Sequence, residues 1–268
     1  MLRYGKVFVV LGAAVLLSFC ASSEKERMTQ EFTTLLKEFE AKAIPLSKEA
    51  ALAYFQATIS GKEEDYKRAA DLEVERSRIF ADKKVFAKLK ELREAEVIDD
   101  PLLKRQLDVL YMDFLENQLD ESMLESMIRM QNETEKQFST FRATVGGKQL
   151  SDNEIEELLR ASTNSAELQE AWLASKEIGS IVAPRVIALV KLRNQAAREV
   201  GYENYHTMKL ALGEQDPQEI ARLFDELDDL TRDAFAELKR DMDEKLALRY
   251  GMTKEELMPW HYQNRFFQ

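Results

Sequence analysis

Two histidines, His206 and His261, are the only imidazoles among the 268 residues, and Cys20 is the only thiol. A helical zinc hydrolase needs His-Glu-x-x-His: that spacing turns two imidazoles toward one metal and sets a general-base carboxylate beside them. Neither histidine has a second imidazole three or four residues away. His206 falls on a predicted helix beside Tyr205 and Met208 and reads as a packed or surface histidine. His261 stands among Trp260, Tyr262, Phe266 and Phe267. Trp260, His261 and Tyr262 could line a substrate groove, but an aromatic cluster of this kind fits packing between domains better. The carboxylates Asp225, Glu226, Asp228 and Asp229 follow the polar side of a helical stripe and read as its solvated face. No residue of the chain is assigned a catalytic or metal-binding role.

Cys20 points to other chemistry. Arg3 and Lys6 give a positive start, Val7 to Phe19 is an uncharged and largely apolar run, and Cys20 follows. The run is too short for a bilayer-spanning helix, which needs about 20 residues. It suits the apolar region of an export signal. Leu17-Ser18-Phe19-Cys20 resembles a bacterial lipoprotein box, with Phe19 where a small residue usually stands. That resemblance implies lipidation of Cys20 and a lipid anchor to a membrane of the bacterial cell envelope. An ordinary signal peptide, or an uncleaved anchor with an incidental cysteine, fits the same residues. A lone cysteine has no internal disulfide to make in an oxidising compartment. The expected organisation is a signal segment over 1–20, a polar tether over 21–27 and a helical region over 28–268.

The elements that would position any site are helices. Charged residues make up 32% of the chain, against only 9 Gly and 5 Pro, a balance that favours helix over strand and turn. The net charge of −11 excludes a phosphate-neutralising nucleic-acid surface. Phe32, Leu35, Leu36 and Phe39 mark a first helix, which Pro45 is expected to interrupt. A second piece runs to Gly61, a third covers about 62–80, and Asp82 caps a fourth. Asp100-Pro101 opens a helix expected to continue past residue 130, with Leu103, Leu107, Leu110 and Phe114 as its stripe. Residues 138–150, with Gly146-Gly147, fit a short hairpin or a loop equally. Ser151-x-x-Glu154 and Asn164-x-x-Glu167 are capping boxes that restart helices. Gly179 is expected to close the helix carrying Trp172, and Pro184 to lead the next one to Gly201. Asp216-Pro217 opens a long helix ending at Gly251, with an apolar stripe from Ile220 to Leu246.

Two stretches go beyond periodicity. One is Ala171-Trp172-Leu173-Ala174-Ser175-Lys176-Glu177-Ile178-Gly179. The other runs from Leu189 through Arg193-Asn194 to Gly201-Tyr202-Glu203-Asn204-Tyr205. Together they resemble the mid-region of helical zinc dipeptidyl carboxypeptidases of the angiotensin-converting-enzyme type. They are similar, more distantly, to thimet oligopeptidase and oligoendopeptidase F. The Asp216-Pro217 helix and Pro259-Trp260-His261-Tyr262 fit the same order. The resemblance implies an all-α fold, the multi-helix N-terminal half of a larger two-lobed peptidase. It also implies short peptides as substrates of the complete enzyme. Zinc in such enzymes is held by two histidines of His-Glu-x-x-His and a later Glu. No residue here matches those ligands, so this chain is expected to carry no cofactor of its own.

Two functions follow as expectations. In the first, the chain is the non-catalytic leading portion of an exported zinc peptidyl-dipeptidase or oligopeptidase, inactive alone and partnered by the missing C-terminal catalytic half. The uncapped apolar ending Phe266-Phe267-Gln268 favours such a truncation. In the second, it is a helical lipoprotein that binds peptides or partner proteins without catalysis.

Overall fold

A computed structural model of the chain describes residues 24–266 in full and, for residues 5–23, only the course of a helix. The expected signal segment, with Cys20, and the first residues of the tether lie outside the fully described residues. The fold is all-α apart from one small hairpin. Its order is α1 (Gly5–Ser60), α2 (Glu63–Phe80), α3 (Lys83–Ala95), α4 (Pro101–Glu116), α5 (Glu121–Thr140), β1 (Ala143–Val145), β2 (Lys148–Leu150), α6 (Asp152–Ala161), α7 (Ser165–Glu199), α8 (Tyr205–Leu212) and α9 (Pro217–Tyr250). Two short 3₁₀ turns follow, Lys254–Glu256 and Pro259–Tyr262. Among the described residues, no helix is long and apolar enough to cross a membrane.

The chain forms two compact units. One holds the residues up to Ile128 together with Ala196–Tyr202; the other holds Arg129–Gln195 and everything from Glu203 on. In the first unit, Met28 and Phe32 of α1 meet Leu89 and Leu92 of α3, and Leu107, Leu110 and Phe114 of α4. Phe114 is fully buried, and its ring lies 5.8 Å from Phe39 and 5.5 Å from Phe80. Further along α1, small side chains let α2 approach closely: Ala53 and Ala57 pack against Tyr66 and Ala69. Gly61, at φ 66°, makes the turn between the two helices in a left-handed conformation that a Cβ would penalise. In the second unit the hairpin, α6 and the first turns of α7 share a core of Ala143, Val145, Ile155, Leu159, Leu168, Ala171 and Ala174, closed by Trp260.

Most caps form as the sequence implies. Asp82 accepts from the N–H groups of Lys84 and Val85, and Asp100 from those of Leu102 and Leu103. Asp216 accepts from Glu219 N–H, and Gly251, at φ 65°, closes α9. Ser151 and Glu154 form the reciprocal box. Asn164 accepts from Ala166 and Glu167, but the Glu167 carboxylate turns to the Ser162 hydroxyl, so the second box is only half formed. Residues 143–150 resolve into a hairpin, with Gly146 and Gly147 at φ 57° and 76° making its two-residue turn.

Three expected boundaries are corrected. Pro45 does not interrupt α1. Neither Gly179 nor Pro184 interrupts α7. Each proline removes one backbone donor. The carbonyls left without that donor belong to Ala41 and Ser180, which are exposed, so water can satisfy them. The third correction runs the other way: the helix from Pro101 stops at Glu116. The Asn117 side chain donates to the Asp113 carbonyl, and Gln118 donates to the carbonyls of Phe80 and Phe114. Asp120 then accepts from Ser122 N–H at 2.9 Å and opens α5 as a new helix. Side-chain competition for backbone groups divides what the apolar period alone reads as continuous.

Candidate functional site

The residues singled out near position 260 converge on one face of the second unit. The sequence Met258-Pro259-Trp260-His261-Tyr262 winds into a single 3₁₀ turn, because proline is preset for a first turn and the His261 ring reaches back to cap it. Nδ1 of His261 accepts from Met258 N–H at 2.8 Å, and the His261 N–H donates to the Met258 carbonyl at 2.9 Å. Because Nδ1 is an acceptor, the ring proton sits on Nε2, which donates to Ser165 Oγ at 2.9 Å. The Trp260 indole N–H also reaches Ser165 Oγ, at 3.4 Å. Ser165 is the first residue of α7, 96 positions from His261 in sequence. His261 is 1% exposed, and burial holds its pKa below the ordinary histidine value.

The neighbouring contacts extend this docking in both directions. The His261 ring centroid lies 4.8 Å from that of Tyr250, and Trp260 lies 6.1 Å from Trp172. The Tyr262 hydroxyl donates to Asp243 Oδ1 at 2.9 Å, and Lys239 donates to the Tyr262 oxygen at 2.7 Å. Burial pushes the Asp243 carboxyl up, but the Lys239 ammonium and the Tyr262 hydroxyl outweigh it, so its pKa is lowered. Arg265 spans two carboxylates of α6, Asp152 at 2.7 Å and Glu156 at 2.8 Å. Lys176 donates to the Arg265 carbonyl and lies over the rings of Trp172, at 4.8 Å, and Phe266, at 5.2 Å. Burial, then the Arg265 charge, lowers the Lys176 pKa.

The structure thus brings Trp260, His261 and Tyr262 together, and adds Ser165, Asp243, Lys239 and Arg265, which local sequence did not single out. Trp260 and His261 are buried and Tyr262 is half-buried, and the packing they make lies inside one unit rather than between domains. Their partners lie far away along the chain, so no periodic signal could have paired them. His206 lies elsewhere, exposed on α8. The carboxylates Asp225, Glu226, Asp228 and Asp229 are exposed on α9. There Arg232 pairs with Asp228 and Asp229, and Arg222 lies 3.9 Å from Glu226, as a solvated face would have it. Among the described residues, no group of three or more His, Cys, Asp or Glu side chains is arranged to hold a metal ion.

The Arg193-Asn194 and Asn204-Tyr205 pairs have a structural explanation. Asn194 Oδ1 accepts from Tyr205 N–H at 3.0 Å, and the Arg193 guanidinium lies 5.1 Å from the Tyr205 ring centre. Asn204 caps α8 by accepting from Thr207 N–H at 2.9 Å. These residues fix the entry into α8.

The family model that describes the peptidase family M2, angiotensin-converting enzyme, matches residues 24–262. No curated protein matches the chain.

Proposed function

This chain belongs to the angiotensin-converting-enzyme family of peptidases, and from that premise we propose that it is a helical, non-catalytic portion of an exported peptidyl-dipeptidase. The observation that supports the peptidase part of this reading is the extent of the match: residues 24–262 take in both units, including the docked 258–262 turn. A peptidase-related role follows from membership. The finer reading, short-peptide hydrolysis completed by a zinc-bearing portion supplied from outside these residues, is ours.

The family resemblance implies zinc, and the residues present do not fit it. A catalytic zinc needs three protein ligands and an open position for water. Both ring nitrogens of His261 are engaged, one by Met258 N–H and the other by Ser165 Oγ, and the ring is buried. His206 stands on the separate helix α8. What the chain contributes is scaffold: an α6–α7–α9 surface that holds Trp260 and Tyr262 in place, and the long helix α9. Leu223, Phe224, Leu227, Leu230, Phe235 and Leu238 are exposed along α9, with Leu230 82% exposed. An exposed stripe of this length suits burial against a further polypeptide, and we assign it to the catalytic portion. Cys20 would carry the lipid that anchors the exported protein to the cell envelope.

The test is metal analysis and a fluorogenic-peptide assay on the chain alone, demetallated and then loaded with zinc. The expected result is no stoichiometric zinc and no turnover. One equivalent of tightly held zinc with chelator-sensitive hydrolysis would overturn the reading. Anchoring has its own test: Cys20→Ala should move the protein out of the membrane fraction, and unchanged fractionation would remove the lipid from the proposal.

A further inference from the structure

We propose that His261 is a proton-operated latch: its neutral ring holds residues 258–266 on the α6–α7–α9 surface, and a second ring proton releases them. The geometry leaves that proton no acceptor. Nδ1 faces the Met258 N–H at 2.8 Å and Nε2 already donates to Ser165 Oγ at 2.9 Å. Protonation would set an N–H against an N–H in a site only 1% exposed, where neither donor can turn to water. The ring must leave, and it carries the turn it caps.

The surroundings do not compensate the charge. From α7 the ring meets the Ser165 hydroxyl; from α9 it meets the Tyr250 ring, over which the Arg249 guanidinium lies at 5.7 Å. From its own turn it meets Met258 and Trp260. No ion pair to His261 is present among the described residues. The carboxylates that meet the docked segment serve other groups: Asp243 holds Lys239 and Tyr262, and Asp152 and Glu156 hold Arg265. The lowered His261 pKa agrees with this environment.

The sign follows directly. The docked ring prefers to be neutral, so docking is complete above the ordinary histidine pKa of about 6.5. Below that value it weakens by up to about tenfold per pH unit, until the pH reaches the lower pKa of the docked ring. Residues 258–266 contain no Asp or Glu. An interval therefore exists in which, within this segment, His261 alone changes charge.

The experiment uses the full chain. Its two tryptophans, Trp172 and Trp260, lie 6.1 Å apart at the latch, so near-ultraviolet circular dichroism and emission report docking without a label. From about pH 8 to 4.5, around the ordinary histidine pKa, the tryptophan signals should change while the far-ultraviolet helix signal holds. His261→Asn keeps an acceptor for Met258 N–H and removes the titration, so its tryptophan signals should stay docked across that range. Should the variant be undocked at every pH, ring nitrogen shifts of the two wild-type histidines decide. A neutral His261 with its proton on Nε2, titrating below the ordinary histidine value in step with the tryptophan change, supports the latch. A His261 that titrates at the ordinary value without a tryptophan change overturns it, as does an acid transition that persists in the asparagine variant. The test is independent of zinc and peptidase activity, so its failure leaves the proposed function standing.

Discussion

Replacing Pro184 with Ala should stabilise the second unit. Pro184 lies inside α7 and is exposed, so the exchange removes no buried contact. It restores a backbone donor facing the Ser180 carbonyl, a hydrogen bond worth about 1 kcal/mol net. It also removes the clash between the pyrrolidine ring and that carbonyl. The full difference between proline and alanine in a helix interior is about 3 kcal/mol. A helix already relaxed around its proline recovers part of that, so the expected gain is about 1–3 kcal/mol. Each kcal/mol should raise the midpoint of thermal unfolding by roughly 2–4 °C at this chain length. Both tryptophans belong to the same unit as Pro184, so tryptophan emission during urea unfolding isolates the relevant transition. The expected result is a higher midpoint with an unchanged slope. A neutral or destabilising outcome would refute the reasoning. It would mean that residues before and after Pro184 behave as two helices whose junction needs the proline.

Gly179→Ala should add about 0.5–1 kcal/mol in the same assay, because a Cβ there meets no atom within 4 Å and the backbone is already helical. Leu159→Ala, at a fully buried position in the second unit's core, should cost about 2–5 kcal/mol, read as a lowered tryptophan midpoint. Ser151→Ala removes the reciprocal cap of α6 and should cost about 1 kcal/mol, with the lost helix visible by hydrogen exchange at Glu154 N–H. Acidification should reduce stability in two stages. The Ser151 contacts hold the Glu154 pKa low, and Lys239 and Tyr262 hold the Asp243 pKa low against burial. Their contribution is present above the ordinary carboxylate pKa of about 4 and is lost as pH falls through the lowered values, after the His261 stage. Tyr262→Phe should move the Asp243 pKa upward, measured by carbonyl shift.

The outcome at each helix boundary depended on whether its cause was local. Asp82, Asp100, Ser151 and Asp216 cap with their own side chains within three residues, so the sequence announces them. The hairpin at 143–150 needed two consecutive left-handed residues, and Gly146-Gly147 supplies them, yet the same glycines suit a loop. The failures came from residues read as breakers by type. Pro45, Gly179 and Pro184 disfavour helix by an amount that solvent access to a single carbonyl, and packing of the flanking turns, can absorb. At Asn117–Asp120 the period of apolar residues continued while polar side chains captured the backbone, and Asp120 was the overlooked start signal.

The site shows the same division more sharply. The aromatic run Trp260-His261-Tyr262 was visible, but its meaning was not. A histidine among aromatics is compatible with a groove, a domain boundary or a core. What distinguishes them is Ser165, at the start of a helix far upstream, and Met258, whose backbone N–H fixes the tautomer. Neither interaction has a sequence signature, because a serine N-terminal to a helix is ordinary and a backbone N–H is universal. The resemblance to peptidases located the angiotensin-converting-enzyme family, and two of the pairs that carried it, Arg193-Asn194 and Asn204-Tyr205, are engaged at the entry into α8. Such constraints record how a fold is held together. They belong to packing and capping, so the residues that carry the family likeness leave activity to be measured on the metal.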